Sequence, residues 1–458
     1  MSDASSELAE RIRRSDVRWV RTDSVVLDGP VVGKHLSARK FADALPDGTA
    51  ISEIVLGMDL GGTPYLGWWN DWRPQALGDI IQRPDPTTYV ELPDHPGTAA
   101  VFCDLATVSG DDLPICPRSL LRRLDGELAR RGLVGRAAFE IEAFLFDEPA
   151  SAGRRRHWRD LTPLGLPAPI GYLHQNTRVQ RRYLDAVLAR LEAIGVPVEG
   201  FHDEAAPGQI ELNLDPAALV TAADHVIRVK QTMRDVALEQ GCSVTFMAKP
   251  GPEYGNGLHV HHSLTQRGAA LFHAPGGQLG DVGRAWLGGL MATLPAAVSL
   301  LAPTINSYRR MVGFAAAPTV ASWGFDDKSA AIRVVGSKPT SARIECRVAG
   351  GDANPYLVLA AVVAGGLAGL DGGLEPPPAL GVAGWGLPPT GHPHLPATIT
   401  TAAAALRADT SLRAILGESF CRHWLLTRDW EWLMFHTTGG DPASPLTDWE
   451  LDRYFEVV

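Results

Sequence analysis

Four segments of the sequence alternate apolar residues with residues that bind metals or phosphate. They span residues 139–146, 209–214, 258–263 and 343–348. Because side chains two apart on a β-strand share a face, each segment predicts a strand with one apolar face and one reactive face. The reactive faces carry Glu140, Glu142, Gln209, Glu211, Asn213, His259, His261, Ser263, Arg343, Glu345 and Arg347.

These residue types predict a site for a divalent cation. Glu140 and Glu142 would repel each other on one strand face unless a cation lies between them. Mg²⁺ and Mn²⁺ prefer oxygen ligands and tolerate an imidazole, and metals held by glutamates serve phosphoryl transfer. For any single strand, a solvated face of an antiparallel sheet is the better interpretation. Four faces made of Glu, His and Arg, rather than of Lys, Thr and Ser, favour the metal site.

A large fold must position these strands, and 458 residues are enough for two domains. Short β-type runs and turn residues over 15–110 predict a small β-rich N-terminal domain. The apolar stretch 282–303 has the length of a membrane span, but Arg284 and Pro295 interrupt it, so we expect a buried helix. The Gly- and Pro-rich stretch 372–396 predicts a surface excursion. Further helices are predicted over 117–131, 177–194, 217–240, 354–370 and 400–416.

The composition argues against several classes of protein. A net charge of −10 without a Lys/Arg-rich run argues against nucleic acid as the main partner. Five scattered cysteines without a Cys-x-x-Cys spacing indicate a reducing cytoplasm and no thiolate zinc site. The polar N-terminus, residues 1–14, is unlike a secretory signal. We therefore expect a cytoplasmic protein with no membrane partner.

Five motifs occur in the order found in the glutamine synthetase family, which the sequence resembles over residues 139–361. They read AFEIEAFLF, HDEAAPGQIELN, KPGPEYGNGLHVHHS, INSYRRM and RIECRVAGGDANPYL. The resemblance implies an α+β fold. A small β-grasp-like N-terminal domain (1–110) would precede a large catalytic domain (111–458), whose curved antiparallel sheet is flanked by helices. It also implies a dodecamer of two stacked hexamers, in which a neighbouring subunit closes each active site.

The resemblance further implies ATP, L-glutamate and two or three Mg²⁺ or Mn²⁺ ions at each active site. The metal near glutamate would be held by Glu142, Glu204 and Glu211, and the metal bridging the ATP phosphates by Glu140, His259 and Glu345. The positions that match nucleotide contacts are Glu199, His261, Ser263 and Arg343. Those that match glutamate contacts are Gly255, Gly257, Arg310 and Arg347. Arg333 and Lys328 match the groups that neutralise the transferred phosphate. The alternative for each residue is a structural ion pair.

The sequence departs from ammonia-using members of the family where ammonium would bind. Ala316 stands at the position of their flap glutamate, and their DGSS-like loop is absent. The corresponding region, residues 61–79, carries Trp68, Trp69 and Trp72. Ammonium needs anionic cover to leave water, whereas a carbon body gains about 0.8 kcal/mol per buried methylene. We therefore predict a γ-glutamylamide synthetase for a small alkyl or aromatic amine, with these tryptophans and Ala316 as its amine pocket.

Other interpretations of the acceptor region stay open. An alkylamine arrives protonated, and Asp71 is the candidate base among the indoles. Three tryptophans in one loop also fit a subunit contact. Tyr254 replaces an asparagine of the glutamate loop, and Trp385 stands where the family has an adenylylated tyrosine, so that control should be absent. The alternative functions are a glutamine synthetase that uses ammonium, a polyamine or ethanolamine γ-glutamyl ligase, and a catalytically silent relative.

Overall fold

The computed structural model describes residues 3–65, 77–167, 170–252, 254–312, 317–336, 338–380 and 391–458. Within these ranges, the N-terminal strands form one seven-stranded sheet in which the two central strands, β1 and β7, run parallel. The strand order is β2-β1-β7-β5-β4, with β3 beside β1 and β6 beside β7. The strands are β1 (Trp19–Val25), β2 (Val31–Val32), β3 (His35–Ser37), β4 (Thr49–Ser52), β5 (Asp79–Pro84), β6 (Val90–Glu91) and β7 (Thr98–Ala106).

The second sheet has ten described strands and contains all four segments with reactive faces. Its order is β15-β16-β17-β13-β8-β10-β9, with β11 and β12 beside β8 and β14 beside β13. Its pairings are antiparallel except for β15 with β16. The strands are β8 (Val134–Phe146), β9 (Val198–Asp203), β10 (Gln209–Leu214), β11 (Ala217–Ala218), β12 (Ser243–Thr245), β13 (Leu258–Gln266), β14 (Ala269–Ala270), β15 (Trp323–Phe325), β16 (Ile332–Val335) and β17 (Arg343–Cys346).

Thirteen α-helices occur among the described residues. They are α1 (Asp3–Arg14), α2 (Ala38–Ala44), α3 (Pro117–Arg130), α4 (Ala150–Arg154), α5 (His174–Ala193), α6 (Leu219–Gln240), α7 (Asp281–Leu301), α8 (Ser307–Arg310), α9 (Pro355–Gly372), α10 (Ile399–Ala408), α11 (Thr410–Leu416), α12 (Glu418–Thr437) and α13 (Asp448–Tyr454). The single helix predicted over 400–416 is wrong. Asp409 has an extended backbone there, and its side chain accepts a hydrogen bond from Leu412 N at 2.8 Å, so a new helix begins.

Helices α7 and α9 pack against each other in the core. Both are long and apolar enough to cross a membrane, but 78% of each apolar window is buried inside the protein. The buried helix predicted over 282–303 is therefore confirmed. The two backbones approach closely: a Cβ on Gly369 would overlap Ala285 O. Glycine is needed at this crossing because any side chain would separate the helices.

The predicted fold class, α+β with a curved antiparallel sheet, is confirmed. The alternation of faces is also confirmed, because Ile141, Leu212, Val260 and Ile344 are fully buried. These apolar side chains belong to the main hydrophobic core, so the sheet turns its reactive face away from that core.

Candidate active site

The reactive faces of the strands meet because the strands pair in antiparallel register. Opposite residues in such pairs have Cβ atoms only about 5 Å apart, so their side chains interact. Five pairs stand opposite each other: Glu140 with His259, Glu142 with Glu211, Glu211 with His202, His261 with Glu345, and Glu345 with Arg333.

Glu140 lies between the two imidazoles of β13. Its Oε2 is 3.1 Å from His259 Nδ1, and its Oε1 is 2.8 Å from His261 Nε2. Burial opposes ionisation of this carboxyl, but hydrogen bonds from the two imidazoles outweigh burial and hold the pKa of Glu140 well below its usual range. Glu140 is therefore an anion across the physiological pH range.

The pKa of Glu211 is shifted in the opposite direction from that of Glu140. Burial, followed by repulsion from Glu140, Glu142 and Glu204, raises the pKa of Glu211 to about 9. This carboxyl lacks sufficient positive charge around it, and a divalent cation would supply that charge.

The donor atoms fit a hard divalent cation. Carboxylate oxygens with one imidazole suit Mg²⁺ or Mn²⁺. At this face of the sheet, three groups of described residues place one ligand atom each within 4.8 Å of the others: Glu140, His261 and Glu345; Glu140, Glu211 and His259; and His202, Glu204 and Glu211. These groups differ from the predicted sets, since His261 joins Glu140 and His202 joins Glu204.

Glu142 is held by the loop that precedes β13. Its Oε2 accepts hydrogen bonds from Gly257 N at 2.7 Å and from Gln209 Nε2 at 3.2 Å. Its Oε1 lies 3.8 Å from His259 Nε2. A Cβ on Gly257 would overlap His259 Nε2 and lie 2.9 Å from Glu142 Oε1, so only glycine lets the loop approach this closely.

Three arginines bring positive charge to the same face of the sheet. Arg310 Nη1 donates to Val348 O at 3.0 Å, and Arg310 Nη2 lies 3.3 Å from His259 Nε2. Arg333 Nη1 donates to Glu345 Oε2 at 3.0 Å, and Arg347 pairs with the other oxygen of Glu345. The Glu345 side chain is fully buried, so both pairs are shielded from water.

Glu140 lines two cavities. The first, of about 370 Å³, is lined by ten of the predicted site residues: Glu140, Glu142, Glu204, Glu211, Gly255, His259, Arg310, Lys328, Arg333 and Arg347. The second, of about 350 Å³, is lined by the four predicted nucleotide contacts: Glu199, His261, Ser263 and Arg343. Arg343 Nε donates to His261 Nδ1 at 3.1 Å. A cavity lined by both carboxylates and cationic side chains therefore adjoins a second cavity, and the two share the Glu140 carboxylate.

The predicted amine pocket lies outside the described residues. This applies to Trp68, Trp69, Asp71, Trp72 and Ala316, and also to Trp385. Tyr254, beside the glutamate loop, lies within the described part of the chain and is exposed.

Four residues that line the first cavity were not among the predicted site residues: Tyr172, His202, Asn213 and Ala317. His202 Nε2 lies 3.1 Å from Glu204 Oε1 and 3.6 Å from Glu211 Oε1. The Tyr172 ring stacks on His202 with 4.4 Å between centroids. The signal for His202 was present, since His202 opens the motif HDEAAPGQIELN that also supplies Glu204 and Glu211. Tyr172 lies in a segment without periodicity, and only the folded structure reveals its position.

Metal affinity is expected to rise with pH. At pH 7 the Glu211 carboxyl, with a pKa of about 9, carries a proton that a bound metal must displace. Each unit by which the pH rises toward this pKa therefore strengthens Mn²⁺ binding by up to about tenfold. Calorimetric titration with Mn²⁺ between about pH 6 and about pH 9 measures this. Glu211→Gln should weaken binding and remove the dependence, whereas a pH-independent affinity in the unaltered protein would contradict the assignment.

The fold and the site define a class of protein. A carboxylate-rich cation site that opens onto arginines and adjoins a second cavity suits an enzyme that brings an anionic substrate to a nucleotide phosphate. The family follows from comparison with known proteins. Residues 114–454 match the family described as glutamine synthetase, catalytic domain. The chain belongs to the glutamine synthetase family and is an ATP-dependent ligase.

The similarity to individual proteins extends over nearly the whole chain. Glutamate–isopropylamine ligase of a Pseudomonas species is 32% identical over 98% of this chain and 97% of its own. γ-Glutamylethanolamide synthetase GlnA4 of Streptomyces coelicolor is 34% identical over 98% of this chain and 95% of its own. Among solved structures, the GmaS/ADP complex has a TM-score of 0.82 at 25% identity and covers 97% of this chain and 98% of its own.

Proposed function

We propose that the protein ligates the γ-carboxyl of L-glutamate to a small alkyl or aromatic amine. The reaction consumes ATP, passes through γ-glutamyl phosphate, and yields a γ-glutamylamide, ADP and phosphate. The observation that carries the proposal is the pair of cavities that share Glu140, because one holds carboxylates and arginines and the other holds the residues that match nucleotide contacts.

The first step joins the two cavities. A γ-carboxylate oxygen of glutamate attacks the terminal phosphorus of ATP, and the bond from that phosphorus to the bridging oxygen breaks, with its electrons leaving on ADP. Arg310 and Arg347 would hold glutamate in line, since both side chains line the first cavity. Arg333 and Lys328 line the same cavity and would offset the charge on the transferred phosphoryl group.

The carboxylate cluster would hold Mg²⁺ or Mn²⁺, which draws charge from phosphate oxygens when bound. Two groups that share Glu140 are placed to hold such ions: Glu140 with Glu211 and His259, and Glu140 with His261 and Glu345. We propose two or three ions at each active site.

In the second step the neutral amine attacks the γ-carbonyl carbon of γ-glutamyl phosphate. The carbon–oxygen bond to phosphate breaks, phosphate leaves with the electron pair, and the nitrogen loses a proton. Asp71 is the proposed base for an alkylamine, whereas an aniline is already neutral at pH 7. Activation is necessary because a carboxylate and an amine would otherwise form only a salt.

The proposal of an amine other than ammonia rests on Ala316 and on Trp68, Trp69 and Trp72. In the sequence, these apolar residues stand where ammonia-using members of the family carry the acidic residues that bind ammonium. The relatives named for isopropylamine ligation and for ethanolamide synthesis also support an acceptor other than ammonia. A glutamine synthetase that uses ammonium is the competing function.

A screen of amines tests the proposal. Phosphate release with L-glutamate, ATP and Mg²⁺ would be measured with ammonium, methylamine, isopropylamine, ethanolamine, aniline and putrescine. We expect an alkylamine or aniline to exceed ammonium in kcat/KM by at least about tenfold, a difference of about 1.4 kcal/mol. Fastest turnover with ammonium would favour a glutamine synthetase, and fastest turnover with putrescine a polyamine ligase. Asp71→Asn in the same screen should slow alkylamines but not aniline.

We also propose a cytoplasmic homo-oligomer, a dodecamer of two hexamers with active sites between subunits. The basis is the assembly that the family resemblance implies and a composition of five scattered cysteines without a Cys-x-x-Cys spacing. The mass of the purified protein in solution measures the assembly, and a monomer would contradict it.

A further inference from the structure

Asp352 is buried in the loop that follows β17, with only 2% of its surface exposed. Its Oδ2 accepts hydrogen bonds from Thr304 Oγ1 and from Ser307 Oγ, each at 2.6 Å. Burial raises the pKa of Asp352, whereas the hydrogen bonds from Ser307 and Thr304 oppose that shift by favouring the ionised carboxylate. Asp352 therefore fixes the turn formed by residues 304–307.

That turn leads directly to Arg310. Thr304 N donates to Ser307 Oγ at 3.0 Å, and Ser307 N donates to Thr304 Oγ1 at 3.1 Å, so the two residues close the turn on themselves. Helix α8 begins at Ser307 and ends at Arg310 after a single turn. So short a helix has little stability of its own, and its direction depends on the groups that hold its first residue.

The Asp352 loop also holds the glutamate loop. Gly351 N donates to Asn256 O at 2.8 Å, and Gly350 pairs with Gly257 in an isolated β-bridge. Lys230 Nζ, from α6, donates to Gly351 O at 2.6 Å and anchors the Asp352 loop to the core. The same loop thus contacts both segments that carry predicted glutamate contacts.

We propose that Asp352 is a positioning residue for glutamate, because its carboxylate fixes Arg310 relative to the loop at Gly255 and Gly257. This inference rests on the proposed function, in which those residues bind glutamate. Asp352 is not one of the described residues that line the two cavities. It acts on the substrate only through the residues that it holds.

The test compares two variants that each weaken the hydrogen bonds between Asp352 and the turn formed by residues 304–307. Asp352→Asn removes the charge of the acceptor, and the double variant Thr304→Val/Ser307→Ala removes both donors while keeping Asp352. Both should raise the KM for L-glutamate roughly 10- to 100-fold, because displacement of binding groups by about 1 Å has effects of this size. The KM for ATP should stay within about twofold, which a general loss of structure would not allow.

Thr293→Val is the matched control. Thr293 is as buried as Thr304, and it donates to Gly289 O at 2.9 Å within α7 rather than to Asp352. It should leave both KM values unchanged. Because the double variant keeps Asp352, a folding failure of Asp352→Asn leaves the proposal testable.

Calorimetric titration of L-glutamate in the presence of Mn²⁺ and ADP separates the outcomes without requiring the correct amine. Weaker glutamate binding in both variants, with ADP binding retained, supports the role of Asp352. Equal glutamate affinity in the variants and the unaltered protein overturns this inference alone. No glutamate binding by the unaltered protein overturns the proposed function and the inference together. Equal weakening of glutamate and ADP overturns the positioning role.

Discussion

Glu140→Gln is expected to lower kcat for phosphate release on the order of 10³-fold. Glu140 lines both cavities and belongs to two of the three groups of potential metal ligands. Glutamine has nearly the same shape but no charge, and its NH₂ group cannot accept the hydrogen bond that a carboxylate oxygen accepts from His259 or His261. The substitution therefore removes a ligand charge from the point where substrate and nucleotide meet.

Steady-state phosphate release and Mn²⁺ calorimetry measure the two consequences separately. Mn²⁺ binding should weaken while the thermal unfolding midpoint of the metal-free protein changes little. Glu375→Gln is the control, because Glu375 is exposed and pairs with Arg284 on the surface. A Glu140→Gln protein with more than about one tenth of the original kcat would exclude Glu140 from the metal site.

The strand faces could be predicted because they depend on a local rule. Alternation over 209–214 predicts one buried and one reactive face wherever the strand lies, and β10 has the predicted bounds. Several helices are also within a few residues of their predicted ends, such as α3 and α6. The reactive pairs then follow from antiparallel register, which the apolar face enforces: a slip of one residue would bury Glu140 and expose Ile141.

Contacts between distant segments could not be predicted in this way. The turn at Thr304 meets Asp352 only after α7 and β17 have packed, and no local pattern encodes that meeting. The grouping of His261 with Glu140 and Glu345 depends on which strands are neighbours, and the resemblance had assigned His261 to the nucleotide instead. The predicted helix over 400–416 is interrupted at Asp409, because the Asp409 side chain caps a new helix although the apolar pattern continues.

Arg118→Met is expected to lower the free energy of unfolding by about 3–5 kcal/mol. Arg118, on α3, is 2% exposed and lies among three carboxylates. It donates to Asp224 through Nε and Nη2 at 2.9 Å, to Asp104 at 2.9 Å and to Asp85 at 2.8 Å. Methionine fills much of the same space but leaves Asp224 buried without its cation, so the loss is electrostatic.

Arg122→Met provides the matched comparison, because Arg122 donates to the same Asp85 and Asp104 at 2.9 and 3.2 Å but its side chain is 48% exposed. Solvent screening limits its effect to below about 1 kcal/mol. Urea unfolding at fixed protein concentration measures both variants. Asp104 lies on β7 of the N-terminal sheet and Asp224 on α6, so Arg118 joins that sheet to the catalytic region. If Arg118→Met cost no more than Arg122→Met, hydrophobic packing and not this ion cluster would hold the two parts together.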